Sequence, residues 1–286
     1  MKNEIQIFLE WKATHTKKAP QSDGAVLKKF DKFFQKKMLS IENISITNIR
    51  EYQLFCEEKF SPNNIAYHIY VIKAFFDFWR KRRNIQIYEN DIRVPKFIMT
   101  KRKVIKEEDY LKIINSFNEL KFIELRNKII IKLLWETGMR VSEITDINIL
   151  DIDNDSISYA TITTKKNRQT RWVAWSSDTT KLLKNYLGVR LCINQRPELF
   201  ISYQTKKRLT TRAVQHMLND TCEKIGIKKY NPHSFRHAKA HRILESGGSV
   251  KDIQQILGHS EKNPVASFMY LRLDHREGLR IAKKYV

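Results

Sequence analysis

The chain has 286 residues, a length that fits two domains, and 42% of them are hydrophobic, which excludes a disordered polymer without a core. Lysine and arginine number 53 against 31 acidic residues, so the formal net charge is +22. Positive charges in such excess repel one another in a compact fold, which predicts a polyanionic partner that neutralises them. No apolar run of about 18 residues and no signal-peptide pattern occurs, which favours nucleic acid over a membrane.

The basic excess is spread along the chain. Residues 1–100 carry 18 basic and 11 acidic side chains, and residues 101–286 carry 35 and 20, so both parts are expected to face the same polyanion. Three cysteines, Cys56, Cys192 and Cys222, are odd in number and form no CxxC pair. This pattern indicates a reducing cytoplasm rather than a disulfide framework or a cysteine-based zinc site.

Helices are predicted for the first third of the chain. One of them begins at Ser61-Pro62 and ends in the basic run 80–83, for which phosphate contact is one interpretation and a solvated face the other. Its apolar side chains recur at helical spacing, which predicts core rather than a stacking platform for bases. They are Ile65, Ile69, Ile72, Phe76 and Trp79. Residues 1–95 are thus predicted to form a helical domain, followed by a basic linker at 96–105.

The sequence pattern of residues 106–286 predicts a mostly helical domain with one β-hairpin. Glycine and proline stops and polar caps divide it into its elements. Helices are expected at 106–118, 123–138, 177–191, 210–225, 232–246 and 249–257, and strands at 156–163 and 171–175 around the polar stretch KKNRQT. The predicted fold class is mostly α with a small β-sheet (α+β).

Several motifs carry residues suited to breaking a phosphodiester without a metal. That reaction needs cations on the non-bridging oxygens, a side-chain nucleophile and a proton for the leaving oxygen. Arginine is a suitable cation because its fork matches two phosphate oxygens. The candidate segments are TGMRVSE at 137–143, HSFRH at 233–237, LGHS at 257–260 and a tyrosine at 270.

A metal site is an alternative interpretation of the histidines. His233, His237 and His241 recur at i, i+4 and i+8 of one predicted helix. Zinc is disfavoured there by the preceding proline, the interposed Arg236 and the missing carboxylate ligand. An arginine next to a metal cation would be repelled, whereas next to a phosphate it is what the chemistry requires.

Taken in order, these motifs closely resemble the tyrosine recombinase family, the phage-integrase and Xer-like enzymes. The resemblance covers about residues 104–286. The first 95 residues resemble that family's core-binding domain, a helical SAM-like DNA-binding domain, only in size, composition and position. The resemblance implies a helical DNA-binding domain followed by a tyrosine-recombinase catalytic domain.

The resemblance also implies roles for individual residues. Arg140 and Arg236 are similar to the family's phosphate-clamping arginines. His233 resembles the family's His/Lys position before the second arginine, and His259 its second His/Trp position, which binds the scissile phosphate. Tyr270 resembles the nucleophile that forms a 3′-phosphotyrosyl bond. Glu143 and His237 resemble supporting residues that orient the site.

The family's general acid is a lysine on the hairpin. Counting back from Arg171 and Val173, which resemble the family's R-x-V-P strand, favours Lys166, with Lys165 as the alternative. The sequence departs from the family pattern in places. The stretch between His259 and Tyr270 is about two residues longer than usual, and Ala174, Phe235 and the segment after Tyr270 also differ. None of these changes removes a predicted catalytic group. The later Tyr285 is a poor alternative nucleophile.

The function implied is site-specific recombination of double-stranded DNA by two transesterifications, with no metal or nucleotide cofactor. The resemblance implies a homotetramer on two DNA sites, with a tail helix at 275–286 that packs on a neighbour or on its own protomer. Accessory proteins, the DNA sequence, and the choice between dimer resolution and element integration are left open. The alternatives are a non-cutting DNA-binding protein on the same fold, a metal-dependent nuclease, and a topoisomerase-like relaxer.

Overall fold

The fold divides into two compact units, Met1–Thr100 and Lys101–Val286. It is described here from a computed structural model, which describes residues 1–16, 21–35, 37, 39–83, 85, 87, 91–97, 104–163, 170–193 and 195–258. The predicted fold class is confirmed, since helices dominate both units and the described strands form one two-stranded sheet. No helix in the described ranges is long and apolar enough to cross a bilayer.

The first unit is a helical bundle around an aromatic core. Its helices are α1 (Lys2–His15), α2 (Gln21–Gln35), α3 (Ile46–Glu57) and α4 (Pro62–Arg80). Helix α4 begins at the predicted proline, and its apolar stripe is buried, with every member of the stripe 7% exposed or less. The prediction of core is therefore confirmed. These side chains are not available as a platform for stacking bases.

The basic run that ends α4 makes contacts within its own unit. Arg80 and Lys81 pair with Asp77, Arg82 lies 3.8 Å from the centroid of the Phe78 ring, and Arg83 pairs with Glu4 and Glu42. Pairs of this kind on a surface contribute little stability and can be exchanged for other partners. Phosphate contact by this run stays a prediction.

The second unit is built around one buried helix. Its elements are α5 (Glu107–Asn115), α6 (Phe122–Thr137), α7 (Val141–Asp146), β1 (Tyr159–Thr163), β2 (Thr170–Ala174), α8 (Ser177–Ile193), α9 (Thr211–Lys224), α10 (Pro232–Glu245) and α11 (Val250–Leu257). Helix α6 is apolar around most of its circumference, as expected of a helix that is covered on all sides. It packs against α5, α7, α8 and α10, and its last residue, Thr137, is buried.

Two predicted boundaries were wrong by three residues each. Strand β1 begins at Tyr159 rather than 156, because the Asp153 carboxylate accepts hydrogen bonds from the backbone and side chain of Ser156 and closes a turn there. Helix α5 ends at Asn115 rather than 118, where the Ser116 hydroxyl donates to the Ile113 carbonyl. In both places, side-chain hydrogen bonds to nearby backbone or side-chain groups replace the regular structure that composition favoured.

Candidate active site

The turn after α6 presents the first candidate arginine. Gly138 ends the helix in the left-handed region at φ 65°, and its N–H donates to the carbonyl of Leu134. A Cβ at this position would lie 2.6 Å from Cδ2 of Leu257, so glycine is required by both conformation and space. Arg140 follows two residues later, directly before α7. The end of a buried helix therefore fixes the backbone from which this arginine projects.

Glu143 holds Arg140 from the first turn of α7. Its Oε2 accepts from the backbone N–H of Arg140 at 2.8 Å, and its Oε1 accepts from Arg140 Nη1 at 2.8 Å. The carboxylate is 4% exposed, whereas 29% of the Arg140 side chain remains exposed. Arg140 is thus anchored at its backbone and at one guanidinium nitrogen, with part of its side chain still facing solvent.

A second arginine reaches the same carboxylate from the hairpin. Arg171 on β2 donates from Nη2 to Glu143 Oε2 at 2.9 Å and from Nη1 to Oε1 at 3.2 Å, which is the two-pronged geometry that guanidinium and carboxylate favour. Burial by itself would raise the pKa of Glu143. Hydrogen bonds and charge from Arg171, followed by those from Arg140, outweigh burial and lower the pKa to about 2. Glu143 is therefore ionised throughout the neutral range.

This lowered pKa predicts a pH-dependent contribution to stability. A carboxylate with a depressed folded-state pKa stabilises the fold above its ordinary value of 4.5, and the contribution is lost as pH falls towards about 2. The difference corresponds to about 3 kcal/mol at neutral pH. Glu143→Gln should therefore lower the free energy of unfolding at pH 7. The difference in this free energy between the variant and wild type should become smaller between pH 5 and pH 2.

Urea unfolding followed by tryptophan fluorescence measures this gap. Glu245→Gln, a change at an exposed position of α10, is the control and should leave the pH profile of the wild type unaltered. A gap between Glu143→Gln and wild type that is the same at pH 7 and pH 3 would contradict the role assigned to the charge.

Arg236 on α10 ties two motifs together. Helix α10 begins at Pro232, with Asn231 as a cap that accepts from the backbone of Ser234 at 3.1 Å. Arg236 is 4% exposed, and its guanidinium donates from Nη1 to the carbonyl of Gly138 at 2.9 Å and from Nη2 to the carbonyl of Leu257. The arginine of HSFRH is thus bonded to the turn that precedes Arg140 and to the end of α11.

The remaining predicted residues fall into two groups. His233 lies exposed in the first turn of α10, whereas His237 on the same helix is 8% exposed. The two general-acid candidates, the second histidine and the nucleophile lie outside the described residues. They are Lys165, Lys166, His259 and Tyr270. In the described ranges, no three His, Cys, Asp or Glu side chains are grouped in a way that could hold a metal ion.

The end of α11 also depends on a glycine. Gly258 adopts φ 64°, and a Cβ there would lie 2.6 Å from Nη1 of Arg171 and 3.0 Å from its Cζ. Because Arg171 is held by Glu143, its guanidinium is not a flexible chain end that can step aside. Gly258, the last described residue before His259, therefore lies directly against Arg171.

Gly258→Ala is expected to lose more stability than glycine replacement at an uncrowded left-handed position. Gly226 is the matched control, since its φ is 69° and nothing lies within 4 Å of a Cβ built on it. Both variants bear the backbone cost of about 1–2 kcal/mol, whereas only Gly258→Ala adds about 1–3 kcal/mol of overpacking. Urea unfolding of the two variants gives the difference directly. Equal losses would show that Arg171 yields without cost.

Sequence reasoning missed what Arg171 does. The residue served only as a marker for the strand, yet it joins the hairpin to α7 and α11. Its partner Glu143 lies 28 positions away, and no periodicity links two such positions. The only signal in the sequence was the two-residue alternation of a strand, which puts Arg171 on the same face as the apolar Val173.

Comparison with known proteins identifies the class to which this fold and these motifs belong. Residues 103–276 match the phage integrase family, and the chain belongs to that family. Within it, the chain is similar to tyrosine recombinase XerC of Corynebacterium glutamicum, at 29% identity over 77% of this chain and 72% of the relative. The XerC of Thermodesulfovibrio yellowstonii is 27% identical over 92% of this chain and 88% of that protein. The chain is thus a Xer-like member of the family.

Solved structures share the fold. XerH recombinase bound to its difH substrate before cleavage superposes with a TM-score of 0.72, at 20% identity over 93% of this chain and 78% of that one. A λ integrase tetramer bound to a Holliday junction gives a TM-score of 0.69, at 17% identity over 93% and 76% of the two chains. At these identities the likeness concerns architecture.

Proposed function

We propose that this protein is a site-specific recombinase that cuts and rejoins double-stranded DNA through a 3′-phosphotyrosyl intermediate. The observation that carries the proposal is the position of Arg236. Its guanidinium bonds to the carbonyl of Gly138 within the TGMR turn and to that of the last residue of α11, so three separate motifs converge on one buried cation. The net charge of +22 and membership of a family whose solved members include DNA complexes support the same function.

In the proposed first step, the Oη of Tyr270 releases its proton to solvent and attacks the scissile phosphorus while the bond from phosphorus to O5′ breaks. Arg140 and Arg236 hold the non-bridging oxygens, with His233 and His259 as further donors, and stabilise the charge that develops on them. The leaving O5′ takes a proton from Lys166, or from Lys165 in the alternative assignment. The products are a phosphotyrosyl ester and a free 5′-hydroxyl.

The second step reverses the first on a new partner. A 5′-hydroxyl from the other duplex attacks the phosphotyrosyl phosphorus and returns the phenol of Tyr270, so the bond energy is retained without nucleotide hydrolysis. The proposal assigns residues 1–95 to DNA binding, 96–105 to a linker and 106–286 to catalysis. Four protomers would assemble on two sites and exchange one pair of strands at a time.

Trapping the covalent intermediate tests this function. Duplexes that bind the full-length protein are first selected from a pool with a randomised centre. They are then rebuilt with a nick near the cut site, so that the short cleaved fragment diffuses away and religation fails. The protein is incubated with this substrate in parallel with and without a chelator, denatured and digested, and the DNA-linked peptide is identified by mass spectrometry.

Each outcome decides between functions. A DNA-linked peptide that contains Tyr270 supports the proposal, and linkage at Tyr285 would relocate the nucleophile. Selection of bound duplexes without any adduct would favour a DNA-binding protein that does not cut. Cleavage without an adduct, lost in chelator, would indicate a metal-dependent nuclease.

A further inference from the structure

Arg171 occupies a junction between three elements, β2, α7 and α11, each of which is close in sequence to a predicted catalytic residue. It lies on β2, five positions after Lys166, and its side chain is 11% exposed. Besides its two bonds to Glu143 on α7, its Nε donates to the carbonyl of Ile256 on α11 at 3.2 Å. One side chain thereby connects the hairpin to α7, the helix that follows Arg140, and to α11, the helix that ends before His259.

The hairpin needs such a connection. It is a sheet of two strands, and a two-stranded hairpin by itself is marginally stable in water. On β2, Arg171 and the buried Val173 face inward, whereas Trp172 between them is 78% exposed. Val173 contributes apolar burial, which is not directional. The bonds of Arg171 to Glu143 fix a direction, because the planar guanidinium meets the carboxylate with two parallel hydrogen bonds.

The carboxylate that receives Arg171 is itself fixed. Glu143 also accepts from the backbone N–H and from Nη1 of Arg140, so this carboxylate does not move independently of Arg140. Removal of Arg171 leaves these two bonds in place. Its loss should therefore loosen the hairpin more than it disturbs Arg140.

We propose that Arg171 is a positioning residue that, through Glu143, holds the hairpin of the general acid against Arg140. The inference rests on the proposed function and predicts which part of the reaction fails when Arg171 is changed. In the cleavage step the O5′ electron pair must be protonated by the hairpin lysine. A hairpin without its anchor would deliver that proton poorly, whereas attack by Tyr270 and binding of the phosphate would be little affected.

Two forms of the nicked suicide substrate distinguish these parts. One has the ordinary bridging oxygen at the scissile 5′ position and the other has sulfur there. A thiolate leaves without a proton because thiols are far more acidic than alcohols, so the sulfur substrate does not need the general acid. Adduct formation is measured in single-turnover reactions with saturating protein, and DNA affinity is measured separately by mobility shift.

Arg171→Ala should slow adduct formation on the oxygen substrate by about 10–100-fold, in line with loss of a residue that orients a reacting group. On the sulfur substrate the variant should fall within about threefold of wild type, since the misplaced group is no longer needed. Arg171→Lys, which keeps the charge and loses the two-pronged geometry, should give an intermediate loss on oxygen and the same recovery on sulfur.

Matched controls separate positioning from folding. Arg126 on α6 is 7% exposed and donates to the carbonyl of Ile201 at 2.7 Å, so Arg126→Lys tests the loss of a buried arginine elsewhere in the same unit. It should leave both rates near wild type. Thermal melting confirms that each variant is folded at the assay temperature, and Arg171→Lys carries the test if the alanine variant is unfolded.

A double-mutant cycle tests independently whether Arg171 acts through the general-acid lysine. The lysine variant, Lys165→Ala or Lys166→Ala, that the sulfur substrate rescues identifies the general acid. In that background Arg171→Ala should add less than about threefold on the oxygen substrate, because the group that Arg171 positions is already gone.

Three results would overturn the inference. They are equal losses on the oxygen and sulfur substrates, no loss on oxygen, and full additivity in the cycle. Failure of the wild type itself to form an adduct on either substrate would instead refute the proposed recombinase function, and the role of Arg171 with it.

Discussion

Replacing Tyr270 with phenylalanine is expected to lower the yield of the covalent protein–DNA adduct by roughly 10⁴-fold or more, as loss of an essential nucleophile does in other covalent enzymes. Phenylalanine keeps the ring and removes only the attacking oxygen. DNA affinity should therefore stay within about threefold of wild type, because affinity for DNA derives mainly from many phosphate contacts. The measurement is denaturing electrophoresis of the nicked substrate after incubation with each protein, alongside a mobility shift.

Tyr285→Phe is the matched control for this experiment. It removes the same atom from the only later tyrosine of the chain and should leave the adduct yield unchanged. An adduct that persists in Tyr270→Phe and disappears in Tyr285→Phe would assign the nucleophile to the other tyrosine. An adduct that persists in both variants would exclude both and refute the assigned chemistry.

The second large effect is expected at Arg236. Arg236→Ala should slow adduct formation by about 10³-fold or more, because a preorganised cation at the non-bridging oxygens is lost at the point where charge develops. Arg236→Lys should recover only part of that loss, since an ammonium cannot present two donors in one plane. Single-turnover cleavage at saturating protein measures the effect separately from DNA binding.

Stability has to be controlled in the Arg236 variants. Removal of the guanidinium takes a donor from the carbonyls of Gly138 and Leu257, and each carbonyl left unsatisfied in the interior costs about 1–3 kcal/mol. Arg242→Lys is a matched control on the same helix, because Arg242 also donates to a backbone carbonyl, that of Trp135, and stacks on its ring at 3.8 Å.

The control should lose stability while retaining cleavage, and circular dichroism shows at which temperatures each variant remains folded. Cleavage by Arg236→Ala within about tenfold of wild type would contradict the role of Arg236 as a phosphate clamp.

Features governed by local chemistry could be read directly from the sequence. The apolar spacing of residues 65–79 predicted a buried helical stripe, and the stripe is buried. The glycines that were expected to end helices at 138, 226, 247 and 258 all adopt left-handed conformations, with φ between 64° and 84°. A helix end is decided by its last turn and the residue that follows, so the information lies within a few positions of chain. The predicted hairpin likewise forms from strands adjacent in sequence.

The sequence predicted the ends of helices and strands less well, and it did not predict the environment of each candidate residue. Side-chain hydrogen bonds that compete with regular structure shortened β1 and α5. The exposure of His233 and the burial of His237 could not be separated, since the two residues are one turn apart on the same helical face. Which of two neighbouring residues is covered depends on what packs against the helix.

The sequence by itself determined the basic character of the chain, its two-part helical organisation and the order of motifs that places it among tyrosine recombinases. Only the tertiary structure decided that Arg236 bonds to the carbonyls of Gly138 and Leu257, and that Glu143 takes both Arg140 and Arg171 as partners. The physical reason is that an arginine will donate to any carbonyl or carboxylate within reach. Only the packing of helices distant in sequence selects which acceptor that is.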